Sequence, residues 1–400
     1  MRNAYKGYKS WQYLEPNVDY AAYELCKEIG RVEPYQIALP PQQEDRMTRL
    51  NAECIILSLH EHPSIMTEDL DEFVAYERQG RESTGFYGLA NSNLDCVFDN
   101  MMDGTCVISS MSGWKWDDIL HDIGVRSCDI AHQDFVVKAF TVDDIREAKK
   151  KGKVAWVVCL ENSGMIDREV DKIEVLYGFG VRMLGICYSE SNNLGSGVRE
   201  TNDGGLTVFG RECVDRMNKI GMAIDVTHSG EKTAMDTILH SKKPTFITHT
   251  GARKLWERRG LKSDELLKAC ADKGGVIGIG SPPNATPTWN RPVHCIESVM
   301  EHFEYVKDLV GIDHVAFGPD TMYGDHVGLY DCFLKAFSMA KNTAGAKGEQ
   351  GRLEYVKGAE NPTEVFDNIL RWLVKNDYTD EQIKNVMGEN VLRTLKDVWA

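Results

Sequence analysis

Five predicted strands of this 400-residue sequence end in a histidine or a carboxylate, the side chains that commonly bind Zn²⁺ and related divalent metals. In chain order, these candidate ligands are His60, His62, Glu161, His228, His249 and Asp320. Residues two apart on a strand point in the same direction, so His60 and His62 can bind one ion. The pattern predicts a metal centre built from several strands.

The chemistry expected of such a centre is hydrolysis. Glu161 lies between the two halves of the set and can bridge two ions, which would acidify a bound hydroxide that acts as the nucleophile. Asp320 can then act as the proton shuttle. Taken singly, a histidine at a strand end is usually a satisfied polar group, and either carboxylate can cap a helix. The joint pattern favours the metal centre.

The elements that must position these residues are short apolar runs separated by helix-like stretches. The eight predicted strands are Cys54–Leu59, Thr105–Ser110, Val154–Leu160, Val181–Cys187, Met222–Thr227, Thr245–Thr248, Val276–Gly280 and His314–Gly318. Strands that alternate with helices pair in parallel, and eight such units close into a (β/α)₈ TIM barrel. In that fold the carboxyl ends of the strands form the face that carries active sites.

Three regions fall outside the strand–helix alternation. Residues 1–50 are predicted to be an N-terminal extension packed on the barrel, and residues 51–400 a single domain. Residues 71–102, rich in glycine and asparagine, are predicted to be an insertion, which is either a lid or a surface elaboration. Residues 361–400 are predicted to form C-terminal helices, with a capping-box pattern at Thr379.

Composition excludes several classes of protein. The 46 Lys and Arg against 61 Asp and Glu give a formal net charge of −15, which disfavours a nucleic acid or an anionic membrane surface as partner. No apolar segment approaches about 20 residues, and the N-terminus lacks a signal-peptide pattern. The eleven cysteines form no CxxC pair, so we expect a cytoplasmic protein with reduced thiols. Serine nucleophile, Walker and Rossmann motifs are also absent from the sequence.

An ordered set of motifs resembles the membrane (renal) dipeptidase family of the amidohydrolase superfamily. The matching segments are Gly180-Val-Arg182, Gly205-Leu-Thr-Val-Phe-Gly-Arg211, Gly221-Met-Ala-Ile-Asp-Val-Thr-His228, Lys243-Pro-Thr-Phe-Ile-Thr-His249-Thr-Gly-Ala-Arg253, Asp313-His-Val-Ala-Phe-Gly-Pro-Asp320, Asn361-Pro-Thr-Glu364 and Gly388-Glu-Asn390. The resemblance runs from about residue 50 to the C-terminus. It implies a barrel of the metal-dependent amidohydrolase type with a dinuclear centre, usually zinc, that hydrolyses dipeptides, often in a homodimer.

The resemblance also assigns roles to individual residues. His60 and His62 occupy the first ligand motif, and Glu161 the bridging position. The two histidines of the second metal are His228 and His249. Asp320 falls on the catalytic acid/base. Arg259 falls near the arginine that holds the substrate carboxylate, a task that suits a guanidinium fork, although an exposed helix-end charge is the alternative.

Several departures from the family pattern bear on the substrate. The first motif is His-x-His rather than His-x-Asp, which raises the charge of the centre by one and makes Fe²⁺ or Mn²⁺ alternatives to Zn²⁺. Tyr188 stands where the family has a histidine that polarises the carbonyl. Glu161-Asn-Ser-Gly164 replaces a glycine-rich stretch, and Asp320-Thr-Met-Tyr323 lacks a second aspartate.

These departures leave several substrates and reactions open. We expect a small carboxylate-containing molecule with an amide, ester or thioester bond, and an ordinary dipeptide is one alternative. A decarboxylase with one metal ion is a weaker alternative, because the bridging position of Glu161 favours two ions.

Other residues give weaker signals. Trp114 and Trp116 can line the substrate pocket or pack within a loop. Asp325 and His326 lie close to the candidate site in sequence. Structural roles are predicted for three remaining histidines, His294, His302 and His314.

Overall fold

The computed structural model describes residue 2 and residues 4–101, 114–336 and 353–399. Eight parallel strands form a nearly closed barrel, and we number them in chain order. They are β1 Leu57–Glu61, β2 Cys96–Asn100, β3 Val154–Leu160, β4 Val181–Gly185, β5 Ala223–Asp225, β6 Phe246–Thr250, β7 Val276–Ile279 and β8 Val315–Phe317. Each strand pairs with the next one. The predicted (β/α)₈ TIM-barrel fold is therefore confirmed.

Backbone hydrogen bonds at the carboxyl ends of β1 and β8 bring the first and last strands together. The amide of Asp320 donates to His60 O at 3.1 Å, and the amide of His62 donates to Thr321 O at 3.0 Å. Because these bonds lie at the carboxyl ends of the strands, they fix the positions of His60, His62 and Asp320 relative to one another.

Helices surround the barrel and mostly follow the predicted pattern. The described α-helices are Pro41–Glu53, Phe73–Arg78, Phe86–Asn91, Trp116–Ala131, Val142–Lys150, Lys172–Phe179, Val208–Ile220, Glu231–His240, Asp264–Asp272, Ile296–Val310, His326–Ala336, Pro362–Lys375, Asp380–Lys384 and Asn390–Val398. The predicted capping box at Thr379 is present, and a π-helical turn at Asn385–Glu389 divides the second tail helix. Among the described residues, no helix combines the length and apolar character needed to cross a bilayer.

The second barrel strand differs from the prediction. Thr105–Ser110, the predicted strand, lies outside the described residues, and β2 instead lies within the predicted insertion 71–102. Its sequence, Cys-Val-Phe-Asp-Asn, has a weaker strand signal than the β-branched run that follows it. The segment before β2 contains two short helices and an antiparallel pair, Ser64–Ile65 with Ser83–Thr84. The predicted bounds of the insertion therefore include a barrel strand. A further short strand, Val136–Lys138, pairs with β3.

The N-terminal segment packs on the barrel and the C-terminal region. Tyr8 Oη donates a 2.7 Å hydrogen bond to Asp129 Oδ1. Arg31 forms ion pairs with Glu360 at 3.4 Å and with Asp325 at 3.6 Å. The helix Pro41–Glu53 continues across residue 50, the predicted boundary of the extension.

Two apolar layers hold the fold together. Strand side chains that point into the barrel form one buried cluster together with residues of the helices Val142–Lys150 and Asn390–Val398. Side chains between the strands and the other helices form another. At the mouth, a Cβ on Gly185 would collide with Glu161 O, and one on Gly318 would collide with Thr248 O. Glycine at these positions therefore permits the close strand packing that sets the spacing of the candidate ligands.

Candidate metal centre

His60 and His62 lie at the end of β1 and point towards one space at the barrel mouth. The register between β1 and β2 shifts between Ser58 and Glu61, and this irregularity turns the end of the strand. The Nε2 atoms of the two histidines are 3.3 Å apart, and both side chains are buried. The structure thus brings the two residues of the predicted first motif together.

Glu161 lies between two groups of histidines. Its Oε1 is 3.4 Å from His60 Nε2 and 3.5 Å from His62 Nε2. Its Oε2 is 2.9 Å from His228 Nε2, which in turn lies 3.0 Å from His249 Nε2. One carboxylate therefore presents an oxygen to each half of the set, as a bridging ligand would.

Asp320 contacts both halves of the set from the end of β8. Its Oδ1 is 3.1 Å from His62 Nε2 and 3.5 Å from His60 Nε2, and its Oδ2 is 3.9 Å from His249 Nε2. The residue has a left-handed backbone with a φ of 59°, which is unusual for a residue with a side chain. This conformation places its carboxylate over the centre, where 13% of the side chain remains exposed.

The electrostatics of the centre reflect its mixture of imidazoles and carboxylates. Burial lowers the pKa of His60, but the charges of Glu161 and Asp320 outweigh burial and raise it to about 9. Burial would raise the pKa of Glu161 and Asp320, but the neighbouring histidines hold both well below their usual range. Burial and the charge of His60 lower the pKa of His249. The carboxylates therefore stay ionised.

The residues present fit divalent metal ions. The potential ligand atoms form three overlapping groups, and within each group they lie within 4.8 Å of one another. The groups are His60–His62–Glu161, His60–His249–Asp320 and Glu161–His228–His249. Glu161 Oε1 is buried and receives no hydrogen bond from the described residues, a costly state that a cation would relieve. Imidazole and carboxylate ligands suit Zn²⁺, Mn²⁺ and Fe²⁺.

Tyr188 lies beside the histidine from β5. Its ring centroid is 4.3 Å from that of His228 and 5.8 Å from that of Trp114. Burial and the charge of Glu161 raise the pKa of the Tyr188 hydroxyl well above its ordinary value. The hydroxyl therefore stays neutral and remains a hydrogen-bond donor next to the centre.

Arginines lie around the mouth of the barrel. Arg259 is exposed, and its Nη1 donates to Arg199 O at 3.1 Å. Arg258 is more buried and donates to Asn284 O. Burial and the charge of Asp320 raise the pKa of Tyr330 to about 12, while Arg258 and Arg199 oppose that rise. Arg258 and Arg199 thus each lie within electrostatic range of Tyr330, although the sequence indicated only Arg259.

The remaining histidine candidates have partners within the fold. His294 Nε2 is 2.9 Å from Thr286 Oγ1. His302 Nδ1 accepts from the Ala252 amide at 3.0 Å, and its Nε2 lies 2.9 Å from Pro287 O. His314 Nδ1 is 2.9 Å from Gly275 O. These contacts agree with the predicted structural roles.

The three remaining candidates contact residues other than the candidate ligands. Asp325 pairs with Arg31, and the ring of Trp116 lies 5.0 Å from Lys172 Nζ. His326 stacks on Tyr330 with ring centroids 5.2 Å apart.

Comparisons with known proteins connect this geometry to a family. The family model "Membrane dipeptidase (Peptidase family M19)" matches residues 119–332. A crystal structure of an amidohydrolase from Pseudomonas aeruginosa superposes with a TM-score of 0.72 at 27% identity, covering 88% of this chain and 99% of that one. The probable dipeptidase PvdM from Pseudomonas aeruginosa shares the fold, with a TM-score of 0.69 at 17% identity, covering 90% of this chain and 99% of that one.

One curated relative is named as a dipeptidase. Dipeptidase verJ from Clonostachys rogersoniana is 26% identical over 288 residues. The alignment covers 70% of this chain but 63% of that protein, so this chain spans less than two thirds of the relative.

Proposed function

We propose that the metal centre of this protein binds two divalent ions. The premise is that this chain belongs to the membrane dipeptidase family (peptidase family M19) and is therefore a metal-dependent hydrolase. The proposed reaction is cleavage of an amide, ester or thioester bond in a small carboxylate-containing substrate. The observation that carries this proposal is the position of Glu161, whose two oxygens face separate groups of imidazoles at 2.9–3.5 Å. A decarboxylase with one metal ion would not require a carboxylate that faces two groups of imidazoles.

The ligand atoms divide between two sites. His60, His62 and Glu161 Oε1 would hold one ion, and His228, His249 and Glu161 Oε2 the other. We propose Zn²⁺, with Fe²⁺ or Mn²⁺ as alternatives because His62 softens the ligand set. When bound, such ions supply a water nucleophile that ionises near neutral pH and polarise the substrate carbonyl.

Asp320 is proposed as the acid/base. Its carboxylate reaches both halves of the ligand set, and part of it faces the barrel mouth. A low pKa keeps it ionised, so it can accept the proton of the attacking water and pass it to the leaving group. His60 and His62, whose Nε2 atoms lie 3.5 and 3.1 Å from Asp320 Oδ1, favour the ionised form.

Tyr188 is proposed to donate a hydrogen bond to the developing oxyanion. Its ring contacts His228, and its hydroxyl stays protonated at neutral pH. A neutral donor stabilises negative charge less than an imidazolium, so the bond cleaved here is expected to be more reactive than an ordinary peptide bond. Esters, thioesters and lactones are therefore candidate substrates in addition to dipeptides.

Substrate carboxylate binding is proposed for the arginines at the mouth. Arg259 is exposed there, and Arg258 lies within electrostatic range of Tyr330. A guanidinium can bind a carboxylate with two parallel hydrogen bonds. Homodimer formation is also proposed, and sedimentation or light scattering of the purified protein tests it.

The decisive experiment is elemental analysis combined with a substrate screen. Two ions per chain and hydrolysis of a carboxylate-bearing amide, ester, lactone or thioester would support the proposal, whereas one ion per chain would favour the decarboxylase. Asp320→Asn should retain the ions and lose at least about 100-fold in kcat. Asp313→Asn, an exposed aspartate before β8, is the matched control and should leave kcat unchanged.

A further inference from the structure

Thr248 lies inside the barrel beneath the candidate ligands, and its hydroxyl contacts a histidine from each half of the set. It follows Phe246 of the barrel interior by two residues on β6 and therefore also points inward. Its Oγ1 is 3.3 Å from His60 Nδ1 and 3.1 Å from His249 Nδ1. One buried oxygen thus contacts the side of each imidazole that faces away from the centre.

Asp225 determines the direction of the Thr248 hydroxyl. Asp225 Oδ2 accepts a 2.8 Å hydrogen bond from Thr248 Oγ1. Its Oδ1 accepts from Thr227 Oγ1 at 2.6 Å and from the amides of Thr227 and Thr248 at 2.9 and 3.2 Å. An ionised carboxylate only accepts, so the single proton of the Thr248 hydroxyl is directed to Asp225.

This arrangement has a consequence for both histidines. With its proton directed to Asp225, the Thr248 oxygen can only accept a hydrogen bond from His60 Nδ1 and His249 Nδ1. Each imidazole then carries a proton on Nδ1, which leaves the lone pair of Nε2 for a metal. The same Nε2 atoms face the centre, 3.4 Å from Glu161 Oε1 for His60 and 3.0 Å from His228 Nε2 for His249.

We propose that Thr248 and Asp225 are positioning residues that hold His60 and His249 in the Nδ1-protonated, metal-binding tautomer. Since the two histidines belong to different halves of the set, one buried threonine–aspartate pair prepares both metal sites together. Such outer hydrogen bonds orient metal-bound histidines and increase their basicity. This inference rests on the proposed metal centre.

The test compares Zn²⁺ affinity, measured by competition with a chelator, between variants of the full chain. Thr248→Val removes the hydroxyl at nearly constant shape and should weaken Zn²⁺ binding 10- to 100-fold. Thr248→Ser restores the hydroxyl and should bind within about threefold of wild type. The control is Thr237→Val, which removes another fully buried hydroxyl, from the helix Glu231–His240, and should not change affinity.

Nitrogen-15 NMR of the zinc-loaded wild-type protein provides evidence that does not depend on how a variant folds. Nδ1–H signals from His60 and His249 are expected, and Nε2–H signals from either residue would overturn the inference. Equal Zn²⁺ affinity of wild type and Thr248→Val would also overturn it. A wild-type protein that binds no divalent metal would instead refute the proposed function, so the two failures are distinguishable.

Discussion

Removal of the metals should leave a proton on His60. His60 Nε2 lies 3.4 Å from one carboxylate oxygen of Glu161 and 3.5 Å from one of Asp320. Burial disfavours the imidazolium, but these two negative charges favour it more and raise the pKa of His60 to about 9. A divalent ion that binds at pH 7 must therefore displace this proton.

The size of the effect follows from the difference between that pKa and the pH. With a pKa of about 9, only about 1% of His60 is deprotonated at pH 7 against about half at pH 9, so the first ion binds about 50-fold more weakly at pH 7, a difference of about 2 kcal/mol. The same proton stabilises the metal-free fold, because the folded pKa exceeds the unfolded value. That stabilisation is complete below about pH 6.5 and is lost as the pH rises through 9.

The assay is a proton NMR titration of the histidine Cε1–H signals in metal-free protein between pH 5 and 10. His60→Asn identifies the signal of interest by its loss. Two histidines of the same chain serve as internal controls. Burial and the charge of His302 lower the pKa of His294 to about 3, and burial lowers that of His302 to about 4, so neither should titrate in this range.

Two results would refute this reasoning. A His60 signal that titrates at or below pH 6.5 would show that Glu161 and Asp320 do not stabilise the imidazolium. A Zn²⁺ affinity that stays constant between pH 7 and 9, after correction for the chelator, would show that no proton is displaced. Glu161→Gln removes one of the two charges and should lower the pKa of His60, which ties the effect to its cause.

Three further predictions concern stability and turnover. Gly88→Ala should destabilise the fold by about 1–3 kcal/mol, because the added Cβ would collide with the buried ring of Tyr323. Gly124→Ala is the control: its Cβ meets open space, so the substitution should stabilise the helix Trp116–Ala131. Urea unfolding measures the free energy of unfolding of both variants. Arg31→Gln removes the ion pairs of Arg31 with Glu360 and Asp325 and should lower the free energy of unfolding by about 1–3 kcal/mol. Tyr188→Phe should lower kcat about 10- to 100-fold with metal content unchanged, and an unaltered kcat would exclude its role in catalysis.

The candidate ligands could be predicted because strand-end positions depend on local rules. Alternation along a strand and the common face of parallel strand ends apply whatever the details of packing. The second barrel strand could not be predicted in this way. Buried strands need only fit their position in the sheet, so β2 forms there although the run Thr105–Ser110 has the stronger strand propensity.

Other features of the centre depend on three-dimensional proximity. Arg258 and Arg259 are adjacent in sequence, and only the course of the loop after β6 decides that the first is the more buried one. Thr248 and Asp225 look like ordinary strand residues. Their contact requires two strands to bring their inward-facing positions within hydrogen-bond distance, which no spacing along the chain encodes.

The replacement of a carboxylate by His62 has an electrostatic consequence for the substrate. Two divalent ions would carry four positive charges, and only Glu161 and Asp320 among the six candidate ligands are negative, which leaves two positive charges. An aspartate at position 62 would leave one. Because the arginines at the mouth add to this field, a substrate carboxylate should bind more strongly than the corresponding amide, and His62→Asp should reduce that preference. Equal KM values for the acid and amide forms of a substrate would contradict this electrostatic account while leaving the metal centre intact.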